Sequence, residues 1–112
     1  MVSHCVVMKP RADLPGADQD RLIGAFERAI HEIPTVRGVR VGRRVVHGAG
    51  YEARMPDADY LVMIDFADLE GLAVYLRHPA HEDLSARFRD AVSAGLIYDF
   101  EEVTLDSLRN RT

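Results

Sequence analysis

The chain has 112 residues, a net charge of −4 and one cysteine. That length suits one domain with a modest core. The mild acidity argues against a nucleic-acid surface, which needs clustered positive charge. No apolar run approaches the ~20 residues of a membrane span, and no basic-then-apolar leader opens the chain. Cys5 has no second cysteine to pair with, which fits a reducing cytoplasm.

Val2 to Met8 is apolar and β-branched and predicts a first strand, ended by Lys9-Pro10. Leu14-Pro15-Gly16 reads as a turn, and Asp18 as the N-cap of a first helix. Leu22, Phe26, Ala29, Ile30 and Ile33 recur at helical spacing until Pro34 stops the pattern. Val39, Val41, Val45 and Val46 suggest a long second strand from Val36 to His47. Its basic run, Arg37, Arg40, Arg43 and Arg44, has no interleaved aromatics and reads as a solvated face. A loop rich in glycine follows, through Pro56. No helix pattern follows Gly48 and Gly50, so they form no phosphate loop.

Tyr60 to Phe66 is the third strand. Asp68 caps a short helix carrying Leu69, Leu72, Ala73 and Leu76. After His78-Pro79 a further helix carries Leu84, Phe88, Ala91 and Val92, with Gly95 expected as its C-terminal cap. Leu96 to Leu105 completes the strands, and residues 106–112 form a polar tail behind a domain of residues 1–105. Tyr60 to Ile64 is apolar at consecutive positions, and Cys5 and Val7 oppose Val6 and Met8. Both faces of such strands want burial. One layer of helices covers one face, so a second copy is expected on the other, as a homodimer with sheets face to face.

Tyr75-Leu76-Arg77-His78-Pro79-Ala80-His81 sets a phenol and two imidazoles at a helix boundary. His81 shares the inward face of Leu84, Phe88 and Val92, at steps of three and four residues. In a first helical turn the dipole disfavours imidazolium. A neutral imidazole is what a general base requires; the other reading is a buried histidine anchoring helix to strand. Tyr75 lies at the edge of an apolar stripe. It either donates to a substrate oxygen or packs its ring with a wet hydroxyl. His4 alternates with Val6 and Met8, and Asp99 in its apolar strand needs a partner, His81 or His4. His78 reads as a boundary residue whose ring caps or packs locally. Pro79 separates it from His81, so the pair is not read as a metal site. Cys5 reads as a small buried hydrophobe.

His4, Ile33-Pro34, Asp65-Phe66, Tyr75 with His78-Pro79-Ala80-His81, and Tyr98-Asp99-Phe100 together resemble the stress-responsive A/B barrel domain family, the dimeric α+β barrels. The resemblance runs from about Ser3 to Val103. It implies a ferredoxin-like βαββαβ protomer, an antiparallel four-stranded sheet and a dimer whose sheets form a barrel. It also implies a pocket between sheet and helices for a hydrophobic, carbonyl-bearing molecule. By resemblance to the family's plant polyketide cyclases, which close rings by aldol condensation without metal or cofactor, the functional tyrosine and histidine fall on Tyr75 and His81. Their strand histidine and acidic partner match His4 and Asp99. The expected site is thus His81 as base, Tyr75 at the developing oxyanion and Asp99 orienting His81, with His4 and His78 binding substrate. No haem or flavin signature is present, and no cofactor is expected. The other function class is a non-catalytic, stress-related or interaction dimer in which the same set is scaffolding.

Overall fold

The computed structural model describes residues 1–110. Four strands form one antiparallel sheet: β1 (Val2–Pro10), β2 (Val36–Arg43), β3 (Tyr60–Phe66) and β4 (Val92–Glu101). Their spatial order is β2-β3-β1-β4, which leaves β2 and β4 as edges. Helix α1 (Gly16–Glu32) joins β1 to β2, and α2 (Leu69–Arg77) with α3 (Pro79–Ala91) joins β3 to β4. This is the expected βαββαβ protomer.

The period-two pattern sorts the sheet faces. Val2, His4, Val6 and Met8 are buried on the helix side, with Val62, Ile64 and Phe66 beside them on β3. Leu22, Ala25 and Ala29 of α1, Leu72 and Tyr75 of α2, and Ala80 and Leu84 of α3 close the core from above. On the opposite face Cys5, Val7, Leu61 and Met63 align with Leu96, Tyr98 and Phe100 of β4. Those three β4 residues are large, apolar and exposed.

The protomer is also flatter than its length requires. Its radius of gyration is 15.6 Å, against about 13 Å for a domain of this length. Its accessible surface is 7879 Å², against roughly 6,200 Å² for a monomer of this mass.

Four boundaries differ from the sequence expectation. Helix α1 starts at Gly16 behind Pro15 (φ −61°), and Asp18 lies in its first turn, 2.6 Å from Arg21. Proline's fixed φ already suits a helix entry, so the chain turns earlier than the Asp18 cap implied. Strand β2 ends at Arg43, paired with Tyr60 where β3 begins, so Val45 and Val46 run past the ladder and are exposed. There the Glu52 carboxylate accepts from the backbone N–H groups of His47 and Gly48. Gly95 is no helix cap; it pairs with Met8 inside β4. A Cβ at Gly95 would lie 3.0 Å from the Phe88 ring, so the glycine lets α3 pack onto the strand. Strand β4 runs Val92–Glu101 because β1 supplies partners only from Pro10 back to Val2. The expected tail begins instead with a 3-10 turn over Leu105–Asn110, and Arg111 and Thr112 lie outside the described residues.

Candidate functional site

The joint between α2 and α3 builds the site. Asp68 caps α2 as expected, its side chain accepting from the Gly71 N–H. Tyr75 then falls on the buried side of α2, 1% exposed, its ring 5.2 Å from that of Phe66. His78 ends α2 and caps α3: its Nδ1 accepts from the Ala80 N–H at 3.0 Å. Pro79 takes the first helical position, where its missing N–H costs nothing. The turn so fixed carries His81 back over Tyr75, with ring centroids 4.8 Å apart.

The third ring comes from the sheet. His4 lies 5.7 Å from Tyr75 and 6.5 Å from His81, centroid to centroid. Three rings from three elements thus form one cluster. Asp99 stands opposite His4 in the β1–β4 register, and its Oδ1 lies 2.6 Å from His4 Nδ1. The carboxylate is an acceptor, so His4 donates through Nδ1–H. This corrects the expected arrangement: Asp99 tethers His4, not His81. The cause is strand pairing, which sets the two residues on one rung of the ladder.

His78 is not brought into the cluster, because its Nδ1 is committed to the α3 cap. Among the described residues no group of three or more His, Cys, Asp and Glu side chains is placed to hold a metal ion. No helix of the described residues is long and apolar enough to cross a membrane. Sequence reasoning missed Phe66 as the second ring against Tyr75; its parity with Ile64 in β3 was the available signal.

The electrostatics follow from burial. Desolvation pushes the Tyr75 phenol up to about 12, so it stays protonated and can only donate or accept as a neutral hydroxyl. Burial also lowers the His81 pKa, and the neighbouring His4 lowers it further; a hydrogen bond with the Leu76 backbone and the Glu82 charge oppose them. His81 is therefore a neutral imidazole at neutral pH. No fully buried side-chain nitrogen or oxygen among the described residues lacks a partner, so each polar atom of the cluster is either bonded or reached by solvent.

On the β4 side the cluster is bordered by an exposed edge strand. The helix-facing residues of this edge strand are uncovered: Ile97 is 51% exposed and the Asp99 side chain 41%. His81 is half-buried. A cavity of about 400 Å³ lies elsewhere, between α1 and the β1–β3–β2 side of the sheet, and none of the expected site residues lines it.

The model of the stress responsive A/B barrel domain matches residues 2–102. The chain belongs to the stress-responsive A/B barrel domain family. Relatives of this A/B barrel domain protein differ in what they are named for. Olivetolic acid cyclase from Cannabis sativa is 23% identical over 99 residues, 88% of this chain and 94% of the cyclase. The hydroxynitrile lyase from Passiflora edulis superposes with a TM-score of 0.74 at 15% identity, over 88% of this chain and 90% of the lyase. A dimeric ferredoxin-like protein of unknown function from Thermobifida fusca gives 0.68 at 18% identity, over 88% of each chain. Identities this low carry the fold and leave the reaction open.

Proposed function

We propose that this A/B barrel domain protein is a homodimeric enzyme that moves a proton at carbon beside a carbonyl, on a hydrophobic small molecule. His81 is the base, neutral at neutral pH and placed 4.8 Å from the Tyr75 ring; this pairing of base and phenol carries the reading. His81 takes the proton, and the electron pair moves onto the carbonyl oxygen as an enolate. The Tyr75 hydroxyl donates to that oxygen. In an aldol-type closure the enolate carbon then bonds a second carbonyl carbon of the same molecule, and the imidazolium returns its proton to the new alkoxide. Substrate enters over Ile97 and Asp99, and His4, held by Asp99, contacts it through Nε2. The chain is similar in sequence to one protein named for a cyclase and in fold to one named for a lyase, which agrees with carbon-centred chemistry.

The dimer in this proposal joins the outer sheet faces. The surface surplus over a compact monomer is on the order of 1,700 Å², which matches what an obligate dimer buries per subunit. The exposed row Leu96, Tyr98 and Phe100 lies on that face.

One observation favours the second reading, a non-catalytic dimer with the ring cluster as scaffolding: Tyr75 and His4 are nearly inaccessible. The two readings separate in an NMR titration with a panel of phenolic enolate mimics. The enzyme reading expects saturable shifts of the His81, His4 and Tyr75 ring signals. Ring signals that stay fixed while the panel is saturating elsewhere, or binds nowhere, favour scaffolding.

A further inference from the structure

The outer face of the sheet is a wedge. Three successive rungs of the ladder cross it from β2 to β4: Gly42 to Leu96, Arg40 to Tyr98 and Gly38 to Phe100. The β4 edge thus carries three large, exposed side chains, and the β2 edge carries two bare glycines around one arginine. Beside Gly42 the surface dips into a hollow of about 280 Å³, lined in part by Val7 and Leu61 of the same rung.

The protomer itself gives no reason for these glycines. Neither has a positive φ, so no turn geometry demands them. A Cβ at Gly42 would meet nothing within 4 Å, and one at Gly38 only an ordinary contact of 3.5 Å with the Asp65 carboxylate. Glycine inside a strand weakens it, and it often marks a place where something outside the strand approaches closely. Arg40 between them is equally unfinished. Its guanidinium rests on the Met63 sulfur, 2.8 Å away, a weak acceptor for a group with five donors.

A wedge stacks on its own copy only when thin edge meets thick edge. A two-fold axis parallel to the strands produces that arrangement; an in-plane axis across the strands would set glycine on glycine and ring on ring. With the parallel axis and the rungs aligned, the central strands agree as well: Leu61 meets the partner's Val7, and Asp65 meets the partner's Ser3. We infer that the outer face of β2 is a socket for a second copy of this chain. Gly42 and Gly38 receive the partner's Leu96 and Phe100, and Arg40 lies against the partner's Tyr98 ring, where a guanidinium is attracted to the aromatic face. The inference rests on the face-to-face dimer proposed above, and adds which edges meet and which residues select the partner.

The test is sedimentation of the full-length protein over a dilution series. Valine suits a strand and has room at position 42 of the protomer. Gly42→Val should therefore keep the fold, checked by circular dichroism, while the dissociation constant of the dimer rises at least about tenfold. Adding Leu96→Ala to Gly42→Val returns the lost space, so the double variant should dimerise several-fold more tightly than Gly42→Val alone. Tyr98→Phe keeps the ring and should hold the dimer, whereas Tyr98→Leu should weaken it about as much as Arg40→Gln does. A dimeric parent whose dissociation constant is unchanged by Gly42→Val overturns the socket and leaves the dimer standing. A double variant no tighter than Gly42→Val overturns the pairing of thin edge with thick. A Tyr98→Leu dimer as tight as the parent's overturns the contact with Arg40, whether or not Gly42→Val folds. A monomeric parent removes the dimer itself, and the socket with it.

Discussion

Asp99 and His4 face each other across one rung of the β1–β4 ladder, with Oδ1 and Nδ1 2.6 Å apart. The consequence is a division of labour between the two histidines. His4 is tethered through Nδ1, whereas His81 pairs with no carboxylate among the described residues and is kept neutral by burial. Asp99→Asn should therefore act on His4. Because the Asp99 side chain is 41% exposed, the stability cost should be small, about 1 kcal/mol or less, a fall of a few degrees in Tm. The ¹⁵N shifts of the His4 ring should change while those of His81 hold. A change confined to His81 would contradict the assignment.

Tyr75 contributes separately through its ring and its hydroxyl. The ring packs between Phe66 and His81. Tyr75→Ala should cost about 3–5 kcal/mol, as other large-to-small aromatic truncations do. Tyr75→Phe keeps the packing and should cost under about 1.5 kcal/mol, while lowering turnover of any carbonyl substrate. Urea denaturation of the two variants gives the comparison. Equal losses would mean that the hydroxyl, not the ring, is what the core needs.

His81 gives stability a pH dependence of known sign. Its folded pKa lies below the ordinary histidine value of 6.5, so the unfolded chain binds the proton more readily. The contribution is intact above 6.5 and is lost as pH falls through the lowered folded value. Denaturation midpoints measured at about pH 7.5 and about pH 5 should fall with acidification less steeply in His81→Gln than in the parent. If the base assignment is right, the parent's activity should fall in the same window as pH drops and the base becomes protonated. The Tyr75 phenol, pushed up to about 12, should add no alkaline limb near neutrality.

The outer sheet face should hold the second copy. Tyr98→Asp and Phe100→Asp put a charge in the exposed apolar row of β4. The parent should sediment as a dimer at micromolar concentration, and each variant as a monomer or a much weaker dimer. A monomeric parent removes the dimer altogether.

The fold was legible because strands and helices carry different apolar patterns. The apolar runs of β1 and β3, unbroken on both faces, and the helical spacing of Leu22, Phe26 and Ala29 marked the elements and their order along the chain. Strand ends were legible only where local chemistry marks them. β4 stops at Glu101 because β1 begins at Val2, and no residue near Leu105 announces that. Gly95 resembled a helix cap, and only the Phe88 ring against it reveals its use. In the candidate site, Tyr75 and His81 could be brought together from the His78-Pro79 joint. The partner of Asp99 could not be chosen between two histidines, because register is a long-range property. The α1 cavity had a trace in the sequence, since Ile23 widens α1's apolar surface beyond the face that a single packed layer needs.

The measurement closest to the central claim follows exchange of the hydrogens beside a carbonyl. Cyclic ketones and β-dicarbonyl compounds would be incubated in deuterium oxide with the parent protein and with His81→Gln, and deuterium uptake read by proton NMR. A base at His81 predicts faster uptake with the parent, saturating in ketone, and uptake at the uncatalysed rate with His81→Gln. Equal rates with both proteins, for a compound shown to bind at the ring cluster, would contradict it and leave His81, Tyr75 and His4 as a packed anchor of the core.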